Sequence, residues 1–133
     1  MAILGTVLAW PPGSHGDPAR GERVFQRCYA WHSVVSGEHG LPGPNLHGVL
    51  GRRAGTLREF RFSLAMVEAG TKRGLVWTRA TLDQFLADPQ RVVPGNEPTF
   101  PDADDRHDMI DYLEQASAPR SHRPDARPSA HRR

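Results

Sequence analysis

With 133 residues, 38% of them hydrophobic, and a mean hydropathy of −0.57, the chain has material for one small, water-compatible domain and none for a second of ordinary size. The formal charge of +2 is unevenly spread: from residue 117 onward five arginines (Arg120, Arg123, Arg127, Arg132, Arg133) meet one acid, Asp125, so this tail carries +4 and the body before it −2. A single cysteine, Cys28, excludes an internal disulfide and any multi-cysteine zinc site, leaving a buried free thiol, an intermolecular disulfide or a covalent attachment point.

Residues 2–10 form an apolar run closed by Pro11-Pro12-Gly13, too short to span a bilayer. Its length suits the apolar region of an export signal, although no Lys or Arg precedes it and no small-x-small cleavage site follows. Residues 1–15 are therefore read as a signal-peptide remnant or a disordered N-terminus. The domain proper, residues 16–116, opens at Asp17, a good N-cap, followed by Pro18, which suits a first helical position. Gly21, Phe25 and Cys28 then recur on one helical face.

A loop rich in Gly, Pro and Ser is expected over residues 33–55. Ser63 caps a short predicted helix over 64–69 that Gly70 ends, and Thr78 caps another whose stripe of Leu82, Phe85 and Leu86 stops before Pro89. Residues 92–101, with three prolines and a glycine, read as loop. A last helix is predicted over about 104–116, with acids in its first turn and Met109, Ile110 and Leu113 on one face. No strand pattern and no internal repeat is present. Residues 117–133, rich in Pro, Arg, Ser and His, read as a disordered basic tail. The fold class is all-α, three or four short helices on long loops, and loops of this length in so small a domain need something to pack against. A flat apolar cofactor would serve.

Between the first helix and the long loop stands Cys28-Tyr29-Ala30-Trp31-His32. This is a Cys-x-x-Cys-His haem-attachment motif in which tryptophan occupies the second cysteine position. One thiol and the histidine remain. The surrounding chain resembles the class I c-type cytochromes over residues 16–116. The resemblance lies in Gly43-Pro44-Asn45-Leu46-His47-Gly48-Val49-Leu50-Gly51-Arg52, in Gly74-Leu75-Val76-Trp77-Thr78, and in Leu86-Ala87-Asp88-Pro89 followed by Val93-Pro94-Gly95. It also lies in Gly21 and Phe25 of the first helix, set to cross Met109 and Tyr112 of the last.

The resemblance implies a cytochrome c fold around haem c and its iron. Cys28 would form the single thioether, and His32 would ligate the iron while its other ring nitrogen donates to the carbonyl of Pro44. Leu46 would pack on the ring, and Arg52 and Trp77 would lie near a propionate. His47 would be structural. The family's axial methionine position falls on Pro98, in Pro94-Gly95-Asn96-Glu97-Pro98-Thr99-Phe100, and proline has no donor side chain. The sixth position is then open, water-filled, or taken weakly by Asn96, Glu97 or a mobile histidine such as His39. Met66 and Met109 read as packing residues and His107 as exposed. Phe62 and Phe85 stand where the family often has tyrosine.

The implied function is electron transfer between redox partner proteins, with weak peroxidase-like activity rather than a true enzyme's. Association with a membrane electron-transfer complex, a monomeric state and a periplasmic location are implied in the same way. The alternative is a module on the same fold that is haem-free, with Trp31 repacked into the vacated space, or that binds small ligands at an open iron. The basic tail lacks the aromatic interleaving of a nucleic-acid-binding segment, so no nucleic acid is expected.

Overall fold

A computed structural model describes residues 16–96 and 100–118. The apolar run and Pro-Pro-Gly of residues 1–15, the Glu97-Pro98-Thr99 segment and the arginine tail lie outside the described residues.

Asp17 caps α1 (Pro18–Phe25), its side chain accepting from the amides of Ala19 and Arg20, with Pro18 in the first turn. The chain tightens into a 3₁₀ turn, Gln26–Cys28, so Cys28 follows the α-helical face rather than continuing it. After a long loop come α2 (Leu64–Thr71), capped by Ser63, and α3 (Arg79–Ala87), where Thr78 and Thr81 form a reciprocal capping box. A four-residue helix α4 (Pro89–Val92) and the long α5 (Ala103–Ser117) complete the order.

Three local readings are corrected. Gly70 does not end α2, which runs through Thr71; a Cβ at Gly70 would collide with the Ala54 carbonyl, so the glycine is there for close packing. Gly74, at φ +66°, reverses the chain instead. Pro89 both stops α3 and opens α4, its ring fixing φ where no amide donor is needed; with this extra helix the described residues hold five α-helices rather than three or four. The last helix extends one residue past Ala116, and Ser117 Oγ accepts from the Gly48 amide at 2.7 Å.

The frame of the domain is the crossing of α1 and α5. Gly21 lets the helices approach: a Cβ there would strike the Asp108 carbonyl and come within 2.9 Å of the Tyr112 Cβ, so Gly21 faces Asp108 and Tyr112 rather than Met109. Phe25, fully buried, lies with its ring centroid 5.4 Å from Tyr112 and edge-on to Tyr29 at 5.0 Å. Asp108, itself buried, accepts from the Asp17 amide at 2.7 Å and from Arg20 at 2.5 Å, closing the start of α1 onto α5. Arg79 of α3 pairs with Asp111 and Glu114 of α5. Arg106 reaches back to Asp83 at 2.7 Å.

The loop between α1 and α2 is held by its own polar groups. Buried Asn45 donates to the carbonyls of Val35 and Glu38 and accepts from the His47 amide. An antiparallel bridge joins Arg53 to Val76, and the Trp77 amide donates to the Arg52 carbonyl at 2.9 Å. These bonds satisfy a backbone that has no helix to do so.

Candidate functional site

Helices and loop together wall a cavity of about 740 Å³, inside the roughly 300–1,000 Å³ span of small-molecule sites. Its depth is apolar: Phe25, Leu82, Phe85, Leu86, Met109 and Leu113 from the helices, and Leu46, Val49, Trp77 and Phe100 from the connections. Every site residue named from the sequence lines it: Cys28, His32, Pro44, Leu46, Arg52 and Trp77.

His32 sits at its wall in a defined orientation. Its amide donates to the Cys28 carbonyl, and its Nδ1–H donates to the Pro44 carbonyl at 2.7 Å. That bond assigns the proton to Nδ1 and leaves Nε2, which has no hydrogen-bond partner among the described residues, with a free lone pair. Burial holds the imidazole below its ordinary pKa, only partly opposed by the Pro44 bond, so it is a neutral donor. Gly43 lies against it; a Cβ there would stand 2.5 Å from His32 Cε1 and 2.8 Å from Nδ1. The Gly43 amide in turn donates to the Trp31 carbonyl at 2.7 Å. Cys28 is a half-buried free thiol, raised above its ordinary pKa by burial and held down only in part by Arg27.

Arg52 spends its guanidinium on the carbonyls of Asn45 (2.8 Å) and His47 (2.5 Å), and burial lowers its pKa. Trp77 is 7% exposed, with its ring 5.0 Å from Phe85, and its indole N–H has no partner among the described residues. His47 Nδ1 donates to the Val34 carbonyl at 3.1 Å, a structural contact away from the cavity lining.

Trp31 is 57% exposed although it touches the cavity, so the indole leaves the interior open. Of the candidates for a further iron ligand, Asn96 lines the cavity, as do Met66 and Met109, which the sequence reads as packing residues. Met109 is buried in the core, and Asn96 donates to the Val93 carbonyl at 3.0 Å. His39 is exposed and lines a separate hollow of about 100 Å³ with Glu59, while His107 lies 3.7 Å from Asp83 on the exposed side of α5. Glu97 and Pro98 lie outside the described residues.

The sequence reading did not single out Arg61, Phe60 or Asn45. The first two belong to a segment, residues 56–62, with no helical or strand period to orient them. For Asn45 the signal was present in Pro44-Asn45-Leu46, a polar residue between two cavity-lining ones.

The chain is 36% identical over 118 residues to cytochrome c2 of Rhodomicrobium vannielii, a match covering 85% of this chain and 91% of that protein. The chain belongs to the class I c-type cytochromes. Cytochrome c2 iso-2 of Magnetospirillum molischianum is 45% identical over 92 residues, 67% of this chain and 90% of that one. The comparison with solved structures agrees: the structure of cytochrome c2 from Rhodospirillum centenum superposes with a TM-score of 0.72 at 34% identity, covering 77% of this chain and all of that one. No family model matches the chain. Membership places this cytochrome among electron carriers rather than enzymes, on the all-α fold expected.

Proposed function

We propose that this cytochrome binds one haem c in the 740 Å³ cavity and carries single electrons between redox partner proteins. The observation that carries the reading is the His32–Pro44 bond, which orients a neutral, singly protonated imidazole in the wall of an apolar cavity with a thiol four residues earlier. When bound, the haem supplies a one-electron iron couple.

Everything else falls to the chain's own residues. Cys28 would hold the cofactor through one thioether, formed by adding its S–H across a vinyl, and Trp31 offers no thiol for a second. His32 would supply Nε2 to the iron, with Pro44 fixing its tautomer and basicity. Leu46 would pack on the ring, and Arg52 and the free indole N–H of Trp77 would lie near a propionate. The apolar depth keeps water away and lowers the reorganisation that an electron-transfer step requires. With proline at the methionine position the sixth site is open or weakly held, which favours a lower potential than a His/Met site.

Trp31 standing more than half in solvent supports this reading over a haem-free module, in which the indole would refill the interior. The same proposal has the protein work in the periplasm as a monomer, exchanging electrons with partners that include membrane complexes.

The test is an alkaline pyridine haemochrome spectrum of chain co-expressed with a c-type maturation system, with a haem stain of a denaturing gel. A covalent band with its α-peak displaced by one unsaturated vinyl is expected. Folded, exported protein without haem would overturn the proposal in favour of the haem-free module.

A further inference from the structure

Among the described residues three arginines line the cavity, Arg27, Arg52 and Arg61, and no Asp or Glu does. A cavity apolar in its depth and cationic at its mouth suits a ligand with an apolar body and an anionic edge, and haem, with its two carboxylates, is such a molecule. The three arginines are not equally available. Arg52 is committed to two backbone carbonyls. Arg27 lies 4.0 Å from Asp105, which already pairs with Arg20.

Arg61 is exposed and makes no ion pair or side-chain hydrogen bond among the described residues. Its backbone is nonetheless fixed. Phe60 and Phe62 on either side pack edge to face at 4.8 Å, and Ser63 caps α2 immediately after. All four residues, 60–63, line the cavity, so the Arg61 side chain springs from a fixed point on its wall. Phe62 contributes no hydroxyl that could hold a carboxylate in its place.

We infer that Arg61 is a further binding residue of this site, its guanidinium pairing with the haem carboxylate that Arg52 and Trp77 leave without a partner. The inference rests on the haem-binding reading. The pair holds that carboxylate ionised and sets a positive charge near the iron's edge, which favours the reduced state and ties the potential to the carboxylate's titration. In a chain with one thioether instead of two, it also supplies a second, non-covalent anchor.

The experiment is spectroelectrochemistry from pH 5 to 9 on the full chain matured with haem, comparing parent, Arg61→Gln, Arg61→Lys and Arg58→Gln. Arg58 is exposed in the same segment but does not line the cavity, so its variant removes an equal charge nearby. Arg61→Gln is expected to lower the potential and to raise by about one unit the pH at which it begins to fall. Arg61→Lys should restore most of that shift, and Arg58→Gln should leave the turning pH where it is. A turning pH unmoved in Arg61→Gln, or moved as far in Arg58→Gln, overturns the inference while leaving haem binding intact. A parent without a covalent haem band overturns both.

Discussion

Substituting Gly43 by alanine tests the site without touching any of its functional groups. Gly43 is not at positive φ, so alanine is allowed by the backbone, and its lower unfolded-state entropy alone would stabilise the protein by about 0.4–1 kcal/mol. The added methyl, however, would meet His32 Cε1 at 2.5 Å, Nδ1 at 2.8 Å and the Trp31 carbonyl at 2.7 Å. Overpacking of this kind costs about 1–3 kcal/mol, and a weakened His32–Pro44 bond adds about 0.5–1.5 kcal/mol. The steric cost exceeds the entropic gain, so Gly43→Ala should destabilise the apoprotein by about 1–3 kcal/mol in urea titrations. The imidazole should also lose its fixed tautomer, read as convergence of the His32 ¹⁵N shifts, with a lower yield of covalent haem. Parent-like stability together with a parent-like tautomer would refute the view that Gly43 is a glycine so that His32 can face the cavity.

Trp31→Cys should restore a second thioether and move the pyridine haemochrome α-peak to shorter wavelength; because the indole is 57% exposed, the substitution should cost no more than about 1 kcal/mol in unfolding. An unmoved peak would mean that position 31 does not reach a vinyl. Asp108→Asn puts an amide where the Asp17 amide and Arg20 both donate, and a loss of about 1–3 kcal/mol is expected by urea or thermal unfolding. Burial, reinforced by the 3.1 Å contact with the Tyr29 hydroxyl, raises the Tyr112 pKa well above its ordinary 10.0. Above pH 10 the unfolded state therefore loses this proton first and binds fewer protons than the native state, so stability falls as pH rises; Tyr112→Phe should flatten that part of the profile.

The parts of the fold that were legible share a local cause. Asp17-Pro18, Ser63 and Thr78 announce helix starts because a cap is chemistry within one turn, and Met109, Ile110 and Leu113 announce α5 because its buried face repeats at the helical period. The errors came where tertiary packing decides. Gly70 reads as a helix stop until the Ala54 carbonyl is seen lying against it. Pro89 reads as an end because a sequence does not show that the chain turns and restarts on the same residue. The site residues came from matching a known pattern, which is why Arg61, at a position that pattern does not use, escaped notice until the cavity grouped it with Arg52.

Two of the departures from the family pattern, at positions 31 and 98, differ in what they ask of the fold. Cysteine-to-tryptophan at position 31 changes a half-exposed side chain at the cavity's edge, and the backbone that places His32 does not depend on it. Trp31 contributes its amide to the Cys28 carbonyl and its carbonyl to the Gly43 amide, bonds that any residue but proline supplies. The proximal geometry therefore survives the loss of the thiol. Proline at position 98 removes a donor side chain altogether, and Met66 and Met109, though they line the cavity, sit on helices whose packing engages them. On the proposed haem reading, one face of the site would keep what fixes an iron ligand. The other, with proline in the methionine's place in the sequence, would lack that donor, and potential and ligand reactivity would follow from this second face.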